Sequence, residues 1–237
     1  MPVNQTLAQY SDWSYFTAFA LYALALLLFV AYYARRLSAL EARAEARSEM
    51  GEKVLVGSGA GGAADTTGTT GTGATGGAAD TYDANEHDSE EIAEKFKKAS
   101  SVGSMAEMVV YIGVAVHLAS VVLRGLSAER FPWGNLYEYI SVFSLFAMVI
   151  ASVILRRNEM RIFWPWLLTP VAALMFYGGT SLYAESAPVV PALQSIWFPI
   201  HVSTVSIGGG IFLVSGIASL LYLLRIKQPK GSEKGFL

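Results

Sequence analysis

The stretch YFTAFALYALALLLFVAYY, residues 15–33, contains no charged side chain and is followed closely by Arg35 and Arg36. A helix rises 1.5 Å per residue, so about 20 apolar residues cross the hydrocarbon core of a bilayer. The stretch therefore reads as a spanning helix. Four further runs have the same character, at about 105–123, 136–155, 163–183 and 200–224. All five are continuous rather than alternating, which favours helices over barrel strands. The expected fold is all-α: a polytopic membrane protein with about five transmembrane helices. The flank Met1–Ser14 lacks Lys and Arg, and the apolar run after it is longer than a signal-peptide core. The first span is thus expected to be an uncleaved anchor.

Composition agrees. Of 237 residues, 53% are hydrophobic and 15% charged, against roughly 25% charged in a soluble domain. Mean hydropathy is +0.41. Lys and Arg total 17 against 19 Asp and Glu, a net charge of −2 with no basic footprint. That argues against nucleic acid as a partner. With no cysteine in the chain, disulfides, thiolate metal sites and thiol redox chemistry within it are excluded.

Basic residues cluster at alternate ends of the spans. Arg35 and Arg36 follow the first, and Lys95, Lys97 and Lys98 precede the second. Arg156, Arg157 and Arg161 join the third and fourth, and Arg225, Lys227, Lys230 and Lys234 follow the fifth. The positive-inside rule then sets the N-terminus outside and the C-terminus in the cytoplasm. Four regions follow: 1–36, an outer segment and the first span; 37–104, a cytoplasmic loop; 105–225, a four-helix membrane domain; 226–237, a cytoplasmic tail. The loop opens with a helical pattern, LSALEARAEARSEM. It continues as a Gly/Ala/Thr tract too poor in apolar surface to offset its ordering entropy, expected to be flexible. Its end reads as a short helix before the second span. Its glycines lack the GxxxxGK[ST] pattern of a phosphate loop.

The candidate chemistry lies on the outer side. His201 opens the fifth span beside Trp197, Phe198 and Pro199. It reads either as an interfacial histidine of the aromatic belt or as a ligand for a metal or haem iron. His117, deeper in the second span, reads as an inter-helix hydrogen-bonding group or as a second contact to a cofactor. Arg124 and Arg130 break the charge rule in an outer loop. They are either scatter or partners for an anionic group such as a haem propionate. RFPWGNLYEYIS, residues 130–141, opens the third span. Asn135 suits a helix cap, Trp133, Tyr137 and Tyr139 suit the interface, and Glu138 needs a partner that Arg124 or Arg130 can supply. Pro188 and Pro191 favour an extended path before the fifth span. Ser206 and Gly210 form a small-xxx-small pair for close helix approach.

Two of these stretches resemble one family. RFPWGNLYEY is similar to the FP-(W/L)-(G/S)-N-(L/M)-YE segment of the CcsA/CcsB (ResC-like) family of system II cytochrome c maturation proteins. VVPALQSIWFPIHVSTVSIGGG, with Pro191, Gln194, Trp197 and His201, resembles its VPALQS-x-W-x-x-x-HV segment. The extra N-terminal span and Gly/Ala-rich loop look like the actinobacterial, CcsB-like form. The resemblance implies a bacterial plasma-membrane protein that handles haem b as a non-covalent cargo. With a ResB-type partner it would present haem at the outer face for attachment to apocytochrome c. It implies His201 as an axial ligand of the haem iron. Trp197, Trp133, Arg124, Arg130 and His117 are the further candidate haem contacts, and no catalytic residue is expected. The family's Trp-rich WGxxWxWD-type segment and second outer histidine are not found before Leu237, so the chain is expected to be truncated before its haem platform and weak in binding alone. The alternative is a membrane scaffold that docks a ResB-type partner without haem. A small transporter has no support from paired broken helices.

Overall fold

A computed structural model describes residues 3–59, 76–187 and 195–227. The elements are α1 (Gln5–Gly59), α2 (Gly76–Ser127), α3 (Leu136–Ile154), a 3-10 turn (Asn158–Phe163), α4 (Trp164–Ser181) and α5 (Trp197–Ile226). Among the described residues there is no strand. Five helices are long and apolar enough to cross a membrane, as the hydropathy of the sequence predicts. The cytoplasmic stretch expected over 37–104 carries helix at both ends, as its first and last segments predict, and the helices run further than expected, through residue 59 and again from Gly76. Strong helix formers such as the Ala, Glu and Arg of 40–47 account for the first of these. The tract 60–75, the residues Pro188, Pro191 and Gln194, and the tail beyond Lys227 lie outside the described residues.

The chain forms two compact parts. One holds residues up to Ala31 and the described residues from Val102 onward; the other holds the described residues of Tyr32–Ser101. In the second part Ala39 and Ala99 are buried, and Glu91–Lys95 and Glu94–Lys98 form exposed ion pairs one helical turn apart, each at 2.9 Å. Such pairs stabilise a helix by a few tenths of a kcal/mol, on the order of 0.3–0.5.

The first part contains the site. On α1 the buried residues include Ala8, Ser11, Tyr15, Ala18, Tyr22, Ala25 and Phe29; on α2 they include Ala106, Val110, His117, Ser120, Arg124 and Ser127. These steps of three and four trace a single seam along each helix. Outside the seam α1 is still apolar, with Trp13, Phe16, Leu24, Leu27 and Val30 exposed. In lipid the hydrophobic effect does not drive helices together, so close packing and hydrogen bonds must do so. Both are present. Ser11 Oγ donates to the Ser120 carbonyl and Ser120 Oγ donates back to the Ser11 carbonyl, each at 2.9 Å. The Asn4 amide donates to the Ser127 carbonyl at 2.9 Å, so the two helices run antiparallel. Gly113 lies under the Tyr22 ring, where a Cβ would come within 2.8 Å of Cε1. Gly113→Val is therefore expected to lower stability by about 1–3 kcal/mol through overpacking, read as earlier thermal unfolding in detergent.

α3 is the central helix, with ten buried residues. α4 packs on it and on α1: Tyr15 donates to the Met175 carbonyl at 2.7 Å, and Trp164 stacks on Phe29. α5 meets α3 through Gly209 and Gly210, which face Phe143 and the backbone of Ala147. That is the close approach expected of the Ser206/Gly210 pair. Arg161, grouped by sequence with the loop cations, is instead buried, and its Nη2 donates to Glu107 at 2.9 Å. Its position at the foot of α4 turns it into the bundle, where a buried carboxylate on α2 holds it.

Candidate functional site

The start of α1, the end of α2, the starts of α3 and α5 and the segment after α4 gather at one end of the bundle. The organising group there is Glu138, whose side chain is 1% exposed. Asn135 caps α3 by accepting the Glu138 amide at 2.8 Å, which fixes the first turn and turns the Glu138 side chain back over residues 130–134. The Glu138 carboxylate then accepts four N–H groups. Oε1 takes Arg124 Nε at 3.1 Å and Arg130 Nη2 at 3.0 Å. Oε2 takes Arg130 Nη1 at 2.8 Å and the Gly134 amide at 2.7 Å. Charge-assisted, forked contacts of this kind are the strong members of their class. A Cβ at Gly134 would run into the Arg130 guanidinium, so only glycine lets the fork lie flat there.

Arg124 is 3% exposed and has three further partners. Nη1 donates to Asp12 at 3.1 Å, Nη2 donates to the Ala184 carbonyl, and the guanidinium lies 5.2 Å from the centre of the Tyr137 ring. Asp12 also accepts the Tyr183 hydroxyl at 2.6 Å. That bond, followed by desolvation, raises the Tyr183 pKa above the usual tyrosine value. Arg130 Nε donates to the Ala187 carbonyl at 2.8 Å, and the hydroxyls of Ser127 and Ser186 bond at 2.9 Å. Both arginines thus have protein partners: they neutralise Glu138 and Asp12 and hold residues 184–187. Asp12, Tyr183 and Ser186 were not singled out by sequence. The signal for Asp12 was a lone acid just before an apolar run.

Two grooves open beside this cluster. One, of about 320 Å³, is walled by Trp133, Asn135, Tyr139, Phe198 and His201. The other, of about 650 Å³, is walled by Val121, Leu126, Arg130, Phe131, Trp133 and Phe198, among others. Trp133 and Phe198 belong to both walls. The Trp133 indole N–H is buried without a partner. His201 is exposed on the first turns of α5, so its imidazole stands open beside an aromatic wall. Trp197 is 72% exposed and lines neither groove.

His117 is elsewhere. It is fully buried, with Nδ1 3.4 Å from the Tyr22 hydroxyl and Nε2 3.2 Å from Ser141 Oγ. Tyr15 and Tyr22 meet its ring edge-on. Of the two expectations for His117, the geometry is that of the inter-helix group: both ring nitrogens are engaged, and it lines neither groove. Among the described residues no group of three His, Cys, Asp or Glu is arranged to hold a metal ion.

The fold and site define a helical membrane protein with an exposed imidazole and aromatic walls at one end of its bundle. The family described as "Cytochrome C assembly protein" matches residues 133–236, the part that carries Trp133, Glu138 and His201. Over these residues the chain is similar to that cytochrome c assembly family. The chain is 31% identical over 110 residues to the cytochrome c biogenesis protein CcsA of Heterosigma akashiwo, covering 45% of this chain and 34% of that one. It is 35% identical over 133 residues to CcsA of a Picosynechococcus species, 52% and 39% of the two chains. With CcsA of Guillardia theta the identity is 26% over 151 residues, 61% and 49%. The matched region spans between a third and a half of these relatives. No solved structure matches.

Proposed function

We propose that the chain acts in cytochrome c biogenesis by holding haem b at the His201 end of the bundle and presenting it to apocytochrome c. The observation that carries this reading is the exposed His201 imidazole beside the Trp133–Phe198 wall. Neutral imidazole is a good axial ligand for haem iron, and apolar aromatic walls suit a porphyrin face. Arg130 edges the larger groove and is the guanidinium placed to meet a propionate; Arg124 is too deeply buried to do so. The Lys and Arg residues that flank the opposite ends of the spans favour an outer location for the His201 end. The membrane is then the bacterial plasma membrane, and the partner is of ResB type.

The test is to purify the chain in detergent, add haem and record its absorption. His201→Ala is expected to abolish the ligated-haem Soret band, whereas His117→Ala leaves the band in place. An unchanged spectrum in His201→Ala would overturn the haem reading. A second reading, a scaffold that docks a ResB-type partner without haem, is favoured by α5, whose Ile211, Phe212, Leu220 and Tyr222 are all exposed. Under that reading the partner copurifies with the His201→Ala variant and neither form carries haem.

A further inference from the structure

We infer that Glu138 is a positioning residue for the His201 groove. The inference rests on the haem reading for its consequence, but not for its geometry. Glu138 itself lines neither groove. It acts through three other groups. The Gly134 amide on Oε2 and the Arg130 fork on both oxygens tie residues 130–134 to the first turn of α3. That short stretch carries Trp133, the wall shared by the two grooves. Arg124, whose Nε also binds Oε1, and Arg130 each donate a further N–H group, to the carbonyls of Ala184 and Ala187 respectively, in the segment between α4 and α5. One buried carboxylate therefore ties one wall of the groove to the stretch of chain that precedes His201.

The chemistry is specific to a carboxylate. A Gln at 138 offers one acceptor oxygen and turns an NH2 toward donors that already surround it. At least two of the four N–H groups then lose their acceptor. Glu138→Asp keeps the charge but shortens the reach, so it restores the fork in part. Gly134→Ala leaves Glu138 intact and displaces Arg130 from the other side. If Glu138→Gln does not fold, Gly134→Ala carries the test.

Two readouts separate this inference from the haem reading. The chain has no cysteine, so Phe131→Cys and Ile196→Cys, 68% and 79% exposed, can carry a pair of spin labels, one on the stretch that holds Trp133 and one just before α5. The distance distribution is expected to broaden and shift in Glu138→Gln and in Gly134→Ala, and to return toward wild type in Glu138→Asp. An unchanged distribution in both of the first two overturns the inference, whatever haem does. The second readout is haem titration of the full chain. Glu138→Gln and Gly134→Ala are expected to bind about 10-fold more weakly, the usual scale for losing support behind a ligand, with a shifted Soret band. Wild-type affinity and spectrum in both, with loss in His201→Ala, also overturn it. A band that survives His201→Ala overturns the haem reading alone, and the label distances then decide for Glu138.

Discussion

Arg124→Ala is expected to be the most damaging single polar change in the described part of the chain. The variant leaves Glu138, 1% exposed, with Arg130 alone and Asp12, 18% exposed, with no guanidinium in contact. Breaking a buried pair by removing one partner costs about 3–5 kcal/mol, because the remaining charge stays buried. Arg124 also holds the Ala184 carbonyl and covers the Tyr137 ring, so its loss loosens α4 and α1 together. For a chain of this size that corresponds to a fall of about 10 °C in Tm, measured by loss of helical circular dichroism in detergent. Arg124→Lys is expected to recover less than half of the loss. An ammonium is a point charge, whereas the guanidinium serves Glu138, Asp12 and Ala184 in three fixed directions. Arg35→Ala is the control: Arg35 is exposed, and its change is expected within about 0.5 kcal/mol of wild type. Equal Tm values for the Arg124 and Arg35 variants would refute the account of the cluster.

The position of this cluster was half legible in the sequence. Asn135, Glu138, Arg124 and Arg130 lie within fifteen residues, and cap chemistry with a carboxylate in need of a cation brings them together on local grounds. Asp12, Tyr183 and Ser186 come from distant segments, and nothing local marks them as partners. The five spans were legible because hydropathy is a property of the stretch itself. Which face of each span turns inward was not. In a soluble helix a polar face announces the outside, but α1 is apolar on every side, and its seam shows only as a 3–4 spacing of large and small residues. For the same reason the two histidines were hard to rank. His201 and His117 both sit in apolar sequence, and only the packing distinguishes an imidazole enclosed by Tyr22 and Ser141 from one that stands open beside Trp133. Arg161 lies between the third and fourth spans as expected, but its burial against Glu107, 54 residues away on α2, had no local signal.

The second large effect is expected at Gly210, and it follows from how little of α5 is held. In its most apolar window 11% of the residues are buried, against 56% for α3. Its buried residues are Ser206, Gly210 and Leu221. A Cβ at Gly210 would lie 3.0 Å from the Ala147 backbone nitrogen and 3.3 Å from its Cα. These are main-chain atoms of the central helix and cannot turn aside as a side chain would, so Gly210→Leu must lift α5 away from α3. Overpacking of this kind costs about 1–3 kcal/mol, and a helix held at so few points has little else to keep it in place. Because His201 lies on α5 and Trp133 does not, the displacement should open the groove as well, and haem binding should fall along with stability. Gly208→Leu and Gly216→Leu separate close packing from helix propensity. Each removes a glycine from the same helix, yet a Cβ at either meets nothing within 4 Å, so both are expected to be neutral or slightly stabilising. A pair of spin labels on cysteines placed at Val153 and Phe212, both exposed, reads the docking of α5 on α3 directly in this cysteine-free chain. The distance should match wild type in the Gly208 and Gly216 variants and lengthen or broaden in Gly210→Leu; the same distance in all four would show that α5 is held by something other than its contact with α3.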